Sequence, residues 1–230
     1  MILPLFSMNF NSIFNVLSFG LYNNIKKDPT VLSLLFSNLL TILIAVLFNW
    51  NLIEVLWVYL GQSVIIGLFN FLKIIKISIS QNTTAGFKVI GLFSSFFFLV
   101  HYNGFHFGYF LFLSMLSFIP GSSGNFVPMN ILNFLPVFLI TLFIFFINHL
   151  FSFIYYFKKI DVPTMNEKNI LMGDLMFRPY ARIIPMHFTI MFGTLIISLG
   201  NFNSFVLIFF LLLKTYADLK MHISEHKENF

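Results

Sequence analysis

Residues 131–159 read ILNFLPVFLITLFIFFINHLFSFIYYFKK, and their composition indicates the class of fold. Residues 131–157 contain no Asp, Glu, Lys or Arg, and Lys158 and Lys159 end the run. A helix needs about 20 apolar residues to cross the hydrocarbon core of a bilayer. Because backbone groups in lipid must be hydrogen-bonded within the protein, a run this long predicts a membrane-spanning α-helix.

Five further segments have the same character, which gives six predicted spans at 30–48, 52–75, 87–118, 131–157, 180–199 and 204–221. All thirteen Lys and Arg residues fall on one side of these spans, and the loops after the first, third and fifth carry none. Cytoplasmic loops of membrane proteins are rich in Lys and Arg. We therefore predict an all-α, polytopic transmembrane six-helix bundle with both termini in the cytoplasm.

The predicted domain organisation has three parts. Residues 1–29 form an interfacial amphipathic N-terminal segment, residues 30–222 the six-helix transmembrane domain, and residues 223–230 a charged cytoplasmic tail. The chain is 58% hydrophobic and 9% charged, against about 25% charged residues in soluble domains. Its net charge of +5 indicates contact with anionic lipid rather than nucleic acid. With no cysteine, disulfides and thiolate ligands are excluded.

Ionisable side chains inside the spans are functional candidates, because they are expensive at membrane depth. Span six carries Lys214, Asp218, His222 and His226 at four-residue steps, which stack on one helix face. Histidines of the other spans lie at similar depths. We predict a pocket open to the cytoplasm that holds a divalent metal with ligands from His101, His149, His187, Asp218 and His222. The alternative for each histidine is a hydrogen bond within the bundle.

Without cysteine, such a ligand set suits zinc, iron, copper or manganese. Two histidines on different helices, His101 with His149 or His187, form an alternative pair for haem iron, and the absence of CxxCH leaves only b-type haem. A metal open to water would support hydrolytic or redox chemistry on a lipid-soluble substrate. The chain has no GxSxG, HExxH, P-loop or GxGxxG motif, so no reaction is predicted.

Span two carries a polar stripe made of Tyr59, Gln62, Ser63 and Asn70. Such side chains either hydrogen-bond neighbouring helices or line a path through the membrane. The stripe therefore supports a second hypothesis, a small transporter or channel in which the loss of Gln62 would abolish flux.

Two further features lie near span ends or on helix faces. Gly104 and Gly108 form a GxxxG motif in span three, which predicts close helix packing. It also supports a third hypothesis, an accessory subunit packed on a partner or an oligomer. Arg178 and Arg182 lie where span five enters the bilayer, and they suit lipid phosphate or an anionic ligand.

Four strings carry a family resemblance: YLGQSVIIGLFNFLK (59–73), FLVHYNGFHFG (98–108), RPYARIIPMHFTIMFG (178–193) and LLKTYADLKMHISEH (212–226). Together they resemble the prokaryotic membrane family called domain of unknown function 6498, over most of residues 28–226. The resemblance implies a small multi-pass protein of a prokaryotic cell membrane and supplies no activity. That family's pattern tends to have Glu-Asn where this chain has Gln62-Ser63, which implies that chemistry needing a carboxylate there is impaired here.

Overall fold

The computed structural model describes residues 29–80, 83–118, 130–157 and 164–180, together with 183, 187, 211, 212, 214–216, 218 and 219. Every regular element in these residues is an α-helix. The continuous helices are α1 (Pro29–Leu47), α2 (Leu52–Ser78), α3 (Ala85–Phe118), α4 (Ile131–Phe157) and α5 (Met165–Phe177). The first four, α1 to α4, are long and apolar enough to cross a membrane. The prediction of an all-helical chain with membrane-spanning helices is confirmed to that extent.

Predicted spans five and six lie mostly outside the described residues, as do the N-terminal segment and the charged tail. The count of six spans, the domain limits and the cytoplasmic placement of both termini therefore stay predictions. Isolated residues from both spans are nevertheless placed against α1 to α4, and they contribute to the site described below.

A tight turn joins α1 to α2. Asn49 adopts a left-handed backbone conformation with φ of 50°, which Asn tolerates better than most residues. Asn51 then caps α2: its side chain accepts a hydrogen bond from the Glu54 amide at 3.0 Å, and the Glu54 carboxylate accepts one from the Asn51 amide at 2.7 Å. This capping box gives Glu54 a definite role at the helix start. The Trp50 indole is buried against the Phe134 ring of α4.

Helix α2 lies at the centre of the described bundle, where it packs against α3, α4 and α5. Two glycines let its neighbours approach closely. A Cβ atom at Gly67 would lie 2.5 Å from the Tyr102 ring of α3, and one at Gly61 would lie 2.6 Å from the Leu142 side chain of α4. Small residues at such contacts bring helix backbones together in membranes. The polar stripe of α2 is consequently held inside the bundle.

Helix α3 runs unbroken from Ala85 to Phe118, so the predicted third span lies within one helix. Its GxxxG motif makes no close contact with the other described helices, so the predicted helix packing at these glycines stays a prediction. A Cβ at Gly104 or Gly108 would meet no atom within 4 Å in the part of the chain that the structure describes. The close approach of α2 and α3 depends on Gly67, and among the described residues nothing covers the glycine face of α3.

The connection between predicted spans four and five contains a further helix, for which no span was predicted. Helix α5 begins after Thr164, whose hydroxyl accepts a hydrogen bond from the Glu167 amide, while the Glu167 carboxylate accepts one from the Thr164 amide. This is a Thr-x-x-Glu capping box, a start signal readable in the sequence. Met172 and Leu175 of α5 are buried against α2 and α3.

Candidate functional site

A buried ion pair lies between α1, α2 and α4. The Lys214 ammonium is 2.7 Å from the Asp218 carboxylate, one helical turn further along the chain. Both side chains are largely shielded, with 16% and 10% of their surfaces exposed. Buried charges in proteins are paired because an isolated charge loses its hydration without compensation. The pair therefore forms the charged core of this site.

Neutral amides from two other helices complete the surroundings of the ammonium. Asn38 of α1 accepts a hydrogen bond from Lys214 at 2.7 Å, and Gln62 of α2 accepts another through its side-chain oxygen. The Gln62 amide nitrogen in turn donates to the Asp218 carboxylate at 3.4 Å. Asn38 and Gln62 are each only 2% exposed, so Gln62 ties both members of the ion pair to α2 in the interior.

Two aromatic faces close the site around the same ammonium. The nitrogen of Lys214 lies 5.0 Å from the centre of the Tyr59 ring and 4.9 Å from that of Phe145 on α4. Aromatic faces attract cations through the negative potential above the ring. We call the six residues Asn38, Tyr59, Gln62, Phe145, Lys214 and Asp218 the Lys214 centre.

The orientation of the Asn38 amide is fixed by its own helix. Its side-chain nitrogen donates to the Leu34 carbonyl at 3.0 Å, so its oxygen is left to face Lys214. Ser37 and Thr41 likewise bond to carbonyls of α1. The polar side of α1 therefore presents one directed acceptor to the centre.

The neighbouring stripe residue, Ser63, belongs to a second network that joins α2 to α3. Its hydroxyl lies 2.7 Å from His106 Nε2 and 2.9 Å from the Tyr102 hydroxyl. His106 Nδ1 is 2.8 Å from the Tyr102 carbonyl, which only accepts, so in the neutral ring Nε2 accepts from Ser63. We call Ser63, Tyr102 and His106 the Ser63 network. It is a chain of hydrogen bonds next to the Lys214 centre.

All four residues of the predicted stripe are buried, and each has a different neighbour. Gln62 and Ser63 join the two groups just described, and Asn70 donates to the Leu175 carbonyl of α5. The buried Tyr59 hydroxyl makes no hydrogen bond within the described residues. The stripe therefore reaches from the Lys214 centre towards α5, as an interior line of polar groups.

The predicted metal ligands have separate neighbours. His101 is exposed and lies 2.7 Å from the Tyr180 hydroxyl, while the exposed His187 lies 3.2 Å from the Tyr109 hydroxyl. His149 is buried on α4 beside the Phe69 ring, and Asp218 is in the Lys214 centre.

Among the residues described here, no three His, Asp or Glu side chains come together as a metal site. His222, the fifth predicted ligand, lies outside those residues, so the metal stays a prediction. Arg178 pairs with Asp174 at 3.1 Å on α5, and Arg182 lies outside the described residues. A lipid or anion contact at this pair of arginines also stays a prediction.

Four residues of these two groups were not among the sequence candidates: Asn38, Tyr102, His106 and Phe145. Asn38 was overlooked because α1 was judged only by its apolar character, although Ser37, Asn38 and Thr41 interrupt it with the spacing of one face. His106 was passed over for the histidines nearer the cytoplasmic side, yet it is only 3% exposed. Lys214 was noted only as part of a four-residue repeat, and the structure makes it the middle of the centre.

A model of a family of unknown function, DUF6498, matches residues 21–229. The chain belongs to this family. The match includes all of the Lys214 centre and the Ser63 network, so both are features of the DUF6498 region. No curated protein and no solved structure matches the chain. The family membership confirms the resemblance carried by the four sequence strings, and the chemistry must be argued from the site itself.

Metal content tests the histidine hypothesis directly. On that hypothesis we expect natively purified protein to carry stoichiometric zinc, iron, copper or manganese, and Asp218→Asn to reduce it because a carboxylate ligand is lost. Elemental analysis beside an absorption spectrum measures both the metal and any haem, which would give a Soret band. Protein that holds no metal as purified and gains none on incubation would remove the hypothesis.

Proposed function

We propose that this chain is a small membrane transporter whose solute moves along the polar stripe of α2. The observation that supports the proposal most is the Lys214–Asp218 ion pair at 2.7 Å in the interior of apolar helices. Ionisable residues inside membrane spans commonly mark ion or substrate pathways. The proposal develops the transporter hypothesis raised by the sequence.

A contribution to folding stability does not by itself explain why a membrane protein would contain a buried ion pair. Removing two charges from water is expensive, and well-packed apolar residues of similar volume often give equal or greater stability than a buried pair. The structure holds this pair with two further amides, Asn38 and Gln62. A site that keeps opposite charges and directed oxygens in the interior fits the transient binding of a small charged or polar solute.

The extent of the stripe also supports a path. Tyr59 and Asn70 are eleven positions apart on α2, which corresponds to about 16 Å at 1.5 Å per residue. That is about half of the roughly 30 Å hydrocarbon thickness. Polar groups along this length can exchange hydrogen bonds with a moving solute, whereas the outward side chains of α2, such as Val64 and Leu68, are apolar.

Flux through proteoliposomes tests this function. We expect the protein to move small ions or polar solutes, and Gln62→Leu to abolish that flux because it removes an amide that contacts both Lys214 and Asp218. The measurement is dye-reported or radiotracer uptake across a panel of small cations, anions and neutral solutes. Asn103→Leu is the matched control, since Asn103 bonds only to the Leu99 carbonyl of its own helix among the contacts described.

Unchanged flux in Gln62→Leu, or wild-type vesicles that move nothing in the panel, would count against the proposal. Retention of the protein in vesicles after an alkaline wash provides the check that it is inserted. That check also bears on the wider inference that the chain is an integral membrane protein. The six spans and the prokaryotic cell membrane are part of the same proposal and rest on the sequence.

A further inference from the structure

The Lys214 centre contains the kinds of ligand that bind a cation, and the Lys214 ammonium occupies the position among them. Three side-chain oxygens surround the nitrogen, from Asn38 on α1, Gln62 on α2 and Asp218. An ammonium has three N–H donors, so three acceptors match it in number. Amide and carboxylate oxygens are also the ligands that small hard cations prefer.

The rest of the wall is selective for positive charge. The Tyr59 and Phe145 rings face the ammonium at 5.0 and 4.9 Å, and aromatic faces attract cations rather than anions. Tyr59 is only 6% exposed, and its hydroxyl has no hydrogen bond within the described residues. That oxygen is available to a ligand or its water.

We infer that the Lys214 centre binds a monovalent cation in exchange for the proton of Lys214, an inference that rests on the proposed transport function and names its substrate class. The charge balance requires the exchange. Among the described residues, Asp218 is the one carboxylate at the centre, and it neutralises one positive charge. A cation beside a still-charged lysine would leave an uncompensated charge in the interior, which is strongly unfavourable.

The steps conserve charge. The cation takes the place of the ammonium among the three oxygens, and Lys214 becomes a neutral amine as its proton passes to water. Return of a proton to Lys214 expels the cation. The titratable groups placed against Lys214 in the described structure are Asp218 and Tyr59, because α1 and α4 contribute the non-titratable Asn38 and Phe145. Lysine can release its proton in such a site, whereas arginine cannot.

Proteoliposomes that contain a pH-sensitive dye test the exchange. With an inward sodium or potassium gradient at equal pH, we expect the lumen of wild-type vesicles to become alkaline, because each entering cation releases a proton outward. Lys214→Arg should lose this signal, since the guanidinium keeps its proton. Lys88→Arg is the matched control, because Lys88 is exposed on α3 and its replacement leaves the centre intact.

A second variant separates transport from proton exchange. Lys214→Ala keeps the three oxygens, so we expect radioactive sodium or rubidium uptake to persist while the pH signal disappears. Sodium or potassium, but not choline, should also raise the melting temperature of Lys214→Ala in detergent, because the cation replaces the missing positive charge beside Asp218. That measurement needs no transport and remains informative if reconstitution fails.

The outcomes are distinct. Cation uptake in wild type with no pH change, or exchange that survives Lys214→Arg, would overturn the exchange inference and leave the transport function standing. Vesicles that move no solute, together with a Lys214→Ala protein whose melting temperature ignores sodium and potassium, would overturn both.

Discussion

Asp218→Ala is expected to destabilise the folded protein by about 3–5 kcal/mol, because it leaves the Lys214 ammonium in the interior without a counter-charge. The ion pair is short and largely shielded, and Gln62 would lose its bond to the carboxylate as well. Reversible unfolding in mixed micelles, monitored by circular dichroism, measures the change in the free energy of unfolding.

A surface ion pair provides the control. Asp174 pairs with Arg178 at 3.1 Å on α5, and its side chain is 39% exposed, so Asp174→Ala should change stability by less than about 1 kcal/mol. The double variant Lys214→Met with Asp218→Leu should recover most of the lost stability, because no unpaired charge remains, while having no cation flux. Equal effects of Asp218→Ala and Asp174→Ala would show that the pair is not buried as described.

Gly67→Ala is expected to destabilise the protein by about 1–3 kcal/mol through overpacking. The new Cβ would lie 2.5 Å from the Tyr102 ring, and that ring is fully buried. Any shift of Tyr102 would also pull its hydroxyl away from Ser63. The same unfolding measurement reports the change.

The sequence offers a clean comparison for this substitution. Gly104 is also inside a membrane-length helix, but a Cβ there meets nothing within 4 Å in the described residues. Gly104→Ala should therefore be neutral or stabilise the helix by up to about 1 kcal/mol, since Ala has the higher helix propensity. If both alanines had the same effect, the close contact between α2 and α3 would be in question.

The helices themselves were predictable because each is a property of a continuous stretch. The apolar runs that became α1 to α4 are long enough for a span, and their ends coincide with turn residues or charges such as Lys158. Helix α5 was not predicted because it is too polar to be recognised by hydropathy, and its start is marked only by the Thr164–Glu167 capping box. That signal depends on two side chains and two amides, and a hydropathy average does not contain it.

The site was predictable only in part, because its geometry joins residues far apart in the chain. Four-residue spacing placed Lys214 and Asp218 on one face, and the same reasoning found the stripe on α2. Neither pattern states which helices become neighbours, so the contact of Lys214 with Asn38 had no local signal. The predicted depth of a histidine in the membrane also does not determine how its helix is rotated about its own axis. That rotation is the reason why His101 is exposed and His106 is buried.

The hydrogen bond from Asn70 to α5 ends on the Leu175 carbonyl rather than on a side chain. Every amino acid supplies that same acceptor. Exchange of Leu175 for another residue of suitable size therefore preserves the bond, while exchange of Asn70 removes it. We therefore expect substitutions in α5 to be tolerated at this contact more often than substitutions at position 70, where a side-chain amide is needed for the hydrogen bond.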